Sequence, residues 1–146
     1  MPSSIHFDRT AHLLKLASKA TARALQNRLA KQNVAYGHWT FLRILWQDDG
    51  LSVTELCRRA GVAKPAGATA LHAMEKLGYL TKEQKPDNQK AIYIYLTAQG
   101  RELEKKLVPL ALEVNELALN GLRKSQRESL RTTLSVIIKN LETENS

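Results

Sequence analysis

The sequence predicts a mainly α-helical fold carrying one small β-hairpin, and three observations predict it. Apolar residues recur at helical spacing over most of the chain, a glycine-containing turn separates two short helical segments near its middle, and two short alternating runs follow them. Together they describe a helix-turn-helix with an appended hairpin, flanked on both sides by long helices.

The first helix is expected from about His6 to Leu29, where Leu13, Leu16, Ala17, Ala20 and Ala24 repeat with no Gly or Pro between them. Tyr36 and Gly37 break the pattern. A second helix is then expected over His38 to Gln47 on Phe41, Leu42, Leu45 and Trp46, ended by Asp48, Asp49 and Gly50. Ser52 or Thr54 caps a third helix reaching Arg59, because a hydroxyl ahead of the first turn satisfies orphan N–H groups and Glu55 suits the positive end of the helix dipole. Its inward stripe is Val53, Leu56, Cys57 and Ala60. Gly61 closes that helix, and Pro65 opens a fourth that runs to about Leu77.

Gly78 stops the fourth helix. Hairpin strands are expected over Tyr79 to Glu83 and Ala91 to Leu96, around the turn residues Lys85, Pro86, Asp87 and Asn88. Ile92, Ile94 and Leu96 share one face and Tyr93 and Tyr95 the other, so one side is buried. Thr97 caps a fifth helix whose Leu103, Leu107, Leu110, Val114 and Leu117 lie close to a heptad seam. Pro109, inside that run, is expected to kink it by removing one hydrogen bond and crowding the carbonyl of Lys105. A sixth helix carries Leu130, Leu134, Ile137, Ile138 and Leu141 on one stripe, ahead of a polar tail from Glu142 to Ser146.

At 146 residues the chain fits a single domain, and 43% hydrophobic with 25% charged residues excludes wholesale disorder. Its apolar runs, such as Val136 to Ile138, fall far short of the ~20 residues that span a bilayer. The N-terminus lacks the features of a secretion signal, so a cytoplasmic protein with no membrane partner is expected. Cys57, the single cysteine, excludes an internal disulfide, and its place on the inward stripe reads as a structural thiol and not a redox sensor. No metal or cofactor is expected, since the four His residues form no ligand motif and no phosphate loop is present. Catalysis is not expected either: the one dyad that can be composed, His38 with Asp48 or Asp49, rests on no spacing rule.

A net charge of +8 points to an acidic partner, nucleic acid foremost. The basic excess is uneven. Residues 1–47 hold seven Lys/Arg against one Asp, whereas residues 102–146 hold seven against seven and suit contact with protein better than with phosphate.

A helix-turn-helix followed by a hairpin is a winged helix, whose second helix enters the major groove of DNA while the wing reaches an adjacent backbone. With these long flanking helices, the stretches VTELCRRAGVAKPAGATALHAMEKLGYL and KPDNQKAIYIYLTAQGREL resemble the MarR family of transcriptional regulators, and the resemblance extends from about residue 10 to 141. The family pattern Asp-x-Arg, a strand, then Leu-Thr-x-x-Gly aligns with Asn88 to Lys90, Ala91 to Tyr95, and Leu96 to Gly100. Asn88 stands where the family has an acidic residue and Lys90 where it has arginine, which removes an ion pair and the planar fork of a guanidinium.

The resemblance implies one MarR-like domain with a DNA-binding region over about 35–100 and dimerisation helices over about 5–32 and 101–142. It implies a homodimer joined through Leu13, Leu110, Val114, Leu117, Leu134, Ile138 and Leu141. Double-stranded DNA would meet Thr54, Arg58, Lys64, Pro65, Ala66, Gly67, Thr69 and His72, together with Lys82, Lys85, Asn88, Gln89 and Lys90 of the wing. Small residues at the head of the fourth helix let its backbone lie near the groove floor, and an alanine packs on a thymine methyl; packing on the third helix is the alternative for Ala66 and Ala70. With few base-edge donors left, binding should be dominated by phosphate.

The resemblance further implies a small-molecule effector with an aromatic ring and a carboxylate or phenolate at His12, His38, Trp39 and Arg43, stacking on Trp39 and pairing with Arg43. The alternative is a core Trp39 and a solvated Arg43. The function implied is a repressor of a pseudo-palindromic operator. Its rival is a protein-interaction module with weak, nonspecific DNA binding.

Overall fold

The computed structural model describes residues 9–87 and 90–146. In chain order the elements are α1 (Thr10–Ala30), α2 (Tyr36–Gln47), β1 (Leu51–Ser52), α3 (Val53–Ala60), α4 (Lys64–Lys76), β2 (Leu80–Gln84), β3 (Ile92–Leu96), α5 (Ala98–Ala118) and α6 (Lys124–Asn145). The fold is mainly helical with a small antiparallel sheet, as the periodicities predict. The expected start of the first helix, at His6, lies outside the described residues.

Two boundaries differ from expectation, each for a local reason. Helix α2 begins at Tyr36 and takes Gly37 into its first turn, where N–H groups have no intrahelical acceptor and the loss of regular bonding is small. Pro109 lies inside α5, as expected. Helix α6 absorbs the polar tail to Asn145, where Glu142 and Glu144 are good helix formers that carry no apolar signal. The hairpin also gains a third strand. Leu51 and Ser52 of β1 pair antiparallel with Ile94 and Tyr93, giving the order β1-β3-β2. Two residues are too few to show an alternating pattern.

Ser52, and not Thr54, caps α3: its Oγ accepts the Glu55 N–H at 3.1 Å. At the other end Gly61 adopts φ 71°, the left-handed conformation that closes a helix and that glycine takes at little steric cost.

The chain divides into two compact units, residues 1–112 and 113–146. In the first, Leu29, Phe41, Leu42, Leu56, Leu71, Leu80 and Ile94 form a dry core from α1 through β3. Burying such side chains contributes about 1.5–3 kcal/mol apiece against leaving them exposed.

The wing is fastened at one junction. Thr97 N–H donates to the Tyr79 carbonyl at 3.1 Å. Its hydroxyl donates to the Gly78 carbonyl and accepts the Gly100 N–H at 3.0 Å, capping α5. The Gly100 carbonyl in turn accepts the Trp46 indole N–H at 2.9 Å. Asp49 Oδ1 takes the Leu96 N–H at 3.0 Å, and Arg101 stands 3.5 Å from Asp49 Oδ2.

In the second unit the turn between α5 and α6 is held by Arg127. Its guanidinium donates to the Leu119 carbonyl at 3.0 Å and to Glu116 at 3.2 Å, and its Nε to the Leu122 carbonyl at 3.3 Å. None of the described residues of α6 is buried. Leu117, Ile138 and Leu141 are 61%, 56% and 54% exposed. Val114, expected in the same seam, is buried, whereas Leu117 is exposed and Leu110 half-buried.

A Cβ on Gly100 would run into the Tyr79 carbonyl oxygen, a backbone atom fixed by its own bond to Thr97. Gly100→Ala should therefore destabilise the protein by about 1–3 kcal/mol, the range of overpacked sites. Urea denaturation measures it, and a midpoint equal to or above that of the parent chain contradicts the steric account.

Candidate nucleic-acid interface

Helix α4 turns two faces outward and inward with little ambiguity. Gly67, Leu71 and Met74 are buried, while Lys64, Pro65, Ala66, Ala68, Thr69 and His72 are exposed. Ala66 thus faces solvent, and Ala70 is half-buried. Gly67 is a correction to the expected DNA-facing set. A Cβ there would collide with Cys57 Sγ and lie 3.5 Å from the Phe41 ring, so this glycine lets α4 close on α3 and offers nothing to a groove. Cys57 is buried in that contact, and burial pushes its thiol above the ordinary range, as a structural thiol requires.

Thr54 at the head of α3, Lys64 and Ala68 of α4, and Lys82, Lys90, Ile92 and Tyr93 of the wing line one groove of about 460 Å³. Four expected contact residues from three elements meet there. Thr69 stands on the exposed face of α4, but its hydroxyl donates to the Pro65 carbonyl at 3.1 Å. What it presents outward is a methyl and an acceptor.

Most of the expected cations already have anionic or aromatic partners. Arg58 makes a bidentate pair with Glu55 at 2.6 and 2.9 Å, and Arg59 bridges Glu55 at 3.0 Å and Asp48 at 2.9 Å. Lys82 Nζ lies 3.8 Å from Glu75, and Lys85 Nζ sits 4.5 Å above the Tyr93 ring. Arg58, Lys82 and Lys85 therefore start as members of intramolecular pairs and not as solvated charges; such exposed pairs hold weakly and exchange partners. Lys64 and Lys90 are exposed at the groove. Asn88 and Gln89 lie outside the described residues.

Sequence reasoning missed the acidic side of this face. Glu55 was legible, since Arg58 and Arg59 follow it at helical spacings of three and four. Glu75 was not, because its contact with Lys82 crosses the turn between α4 and β2.

The expected effector set comes apart. Trp39 is buried and packs edge-to-face on Trp46, ring centroids 5.7 Å apart at 67°. Its ring belongs to the core and has no open face for a ligand, as the alternative reading held. Arg43 and His12 are exposed, and His38 is half-buried, with burial lowering its pKa.

Hydrogen bonds from Arg58 and then Arg59 hold the Glu55 carboxyl at about 2. A carboxyl lowered in the folded state stabilises above its ordinary pKa, and that contribution is lost as pH falls from near 4.5 toward 2. A 13C-detected titration should give a Glu55 midpoint near 2 in the parent chain, rising toward 4.5 in Arg58→Ala. A midpoint near 4.5 in both means that the bidentate pair does not persist in solution.

The MarR family model matches residues 35–92, the span from the end of the α1–α2 turn to the first residue of β3. The chain is 27% identical over 119 residues to the HTH-type transcriptional regulator TtmR of Methylorubrum extorquens, covering 82% of this chain and 60% of that protein's length. It is 25% identical over 131 residues to the organic hydroperoxide resistance transcriptional regulator of Bacillus subtilis, covering 90% of this chain and 86% of that one. A MarR family regulator of Listeria monocytogenes solved in complex with a 26mer DNA superposes with a TM-score of 0.86 at 19% identity, over 92% of this chain and 89% of that one. A MarR family match on the winged-helix segment, relatives named as transcriptional regulators along most of the chain, and the fold of a MarR regulator agree: residues 35–92 match the MarR family model, and the chain is similar to MarR-type transcriptional regulators.

Proposed function

We propose that this chain is a homodimeric repressor that occupies a pseudo-palindromic operator in double-stranded DNA. The observation that carries the reading is the groove in which Thr54, Lys64, Lys82 and Lys90 converge beside the exposed face of α4. A major groove about 12 Å wide admits one helix, and the small side chains of Ala66 and Ala68 allow the α4 backbone a close approach. The DNA-bound Listeria regulator of the same fold supports this docking. Two-fold symmetry would set the half-sites about one helical turn, ~10 bp, apart.

Dimerisation is supported by the exposed Leu13, Leu117, Ile138 and Leu141 and the half-exposed Leu110 and Leu134, a set of apolar side chains that water covers poorly. The electrically neutral composition of residues 102–146 suits the same role. An anionic aromatic effector would release the operator only by binding the free and DNA-bound forms with different affinity. With Trp39 in the core, the residues left to receive it are His12, His38 and Arg43.

One observation favours the interaction-module reading: Arg58, Lys82 and Lys85 are engaged within the protein before any DNA arrives. Fluorescence anisotropy on the DNA upstream of the chain's own gene, against scrambled DNA over a salt series, separates the two. The repressor reading expects a preference of ~10³ or more near physiological salt. It also expects that Lys64→Glu with Lys90→Glu abolishes binding while sedimentation still reports a dimer, and that Ile138→Glu with Leu141→Glu gives a monomer. Equal binding to both DNAs, vanishing as salt rises, would instead favour the module.

A further inference from the structure

We infer that Glu75 sets the strength of phosphate binding by serving as the resting counter-ion of Lys82, so that DNA must displace a carboxylate to reach the wing. The inference rests on the DNA-binding reading above and assigns a role to an acidic residue on the recognition helix itself. Lys82 of β2 and Lys64, Lys90 and Thr54 line the same groove, so the Lys82 ammonium stands where a DNA backbone following that groove would pass. Its Nζ is 3.8 Å from Glu75 Oε1, with the two side chains 28% and 38% exposed. A contact that long and that accessible to water is exchangeable, so the lysine is held but not locked.

The consequence follows from charge and counting. A cation that already neutralises a carboxylate releases no net counter-ion when it turns to a phosphate, because it leaves an unpaired anion beside the DNA. Glu75 therefore removes one phosphate equivalent from the interface. Contacts to phosphate carry no sequence information, so the affinity removed is nonspecific. In a chain of net charge +8, such a counter-ion weakens adhesion of the groove to any duplex. Glu75 is placed for this by helix geometry: it follows the buried Met74 and Leu71 along α4, on the flank facing β2.

A double-mutant cycle tests the inference, using the full chain and a defined 30-bp duplex of scrambled sequence, with the upstream DNA in parallel. Glu75→Gln should tighten binding to both duplexes by the same factor, roughly three- to tenfold near 0.1 M salt. It should steepen the slope of log K against log salt by about 0.9, one phosphate contact. In a Lys82→Gln background the same change should have no effect on affinity or slope. Glu83→Gln, a neighbouring exposed wing carboxylate, is the control for a general loss of negative charge. An equal gain in Glu83→Gln, a gain that persists without Lys82, or weaker binding in Glu75→Gln overturns the inference, the last because the pair would then be holding the wing in place for DNA. Absence of DNA binding by the parent chain would count against the repressor reading itself; binding by the parent with no coupling in the cycle counts against Glu75 alone.

Discussion

The Thr97 hydroxyl is the point on which the winged helix depends. It closes α5 at its N-terminus and ties the end of α4 to the end of β3 through the Gly78 carbonyl. The same few residues bring Trp46 of α2 onto Gly100 and Asp49 onto Leu96 and Arg101. The α2 end, the turn after α4 and the β3–α5 junction are thereby fixed by hydrogen bonds that each pair one side chain with one backbone group. The wing strands can be short and exposed at their tip because their base is over-determined.

The basic face is organised as pairs. Where composition alone suggests a surface of solvated lysines and arginines, the molecule sets Glu55 between Arg58 and Arg59, links Arg59 to Asp48, and lays Lys85 over Tyr93. Each pair is exposed and individually weak. Their common effect is to orient long side chains that would otherwise sample many rotamers, and so to define where positive charge stands beside the groove.

How much of this was legible follows from where each signal resides. Six helices and a hairpin could be read because apolar spacing and the punctuating Gly61, Pro65 and Gly78 are local properties of the chain. The two-residue strand β1 could not, since its partner Ile94 is remote in sequence. In the candidate site, Lys64, Ala66 and Thr69 were expected toward DNA and stand on the exposed face of α4, although packing of Ala66 on the third helix stayed open in the sequence. Gly67 was misread because glycine has no side chain to declare a face, and its role is visible only once Cys57 and Phe41 are packed against it. Trp39 was read two ways for a comparable reason: an aromatic residue on an amphipathic helix serves a core or a ligand equally well until its neighbour, here Trp46, is known.

Helix α6 is amphipathic over 22 residues, yet none of its described side chains is buried. A helix in that condition draws little of its stability from burial within its own chain, with only Arg127, Leu134 and Ile137 half-buried. Were a second copy to cover the exposed Ile138 and Leu141, the order of α6 would be linked to that association by mass action, and its melting temperature would become a function of concentration. In that case abundance itself would act as a control, the apolar stripe being covered only above a threshold concentration.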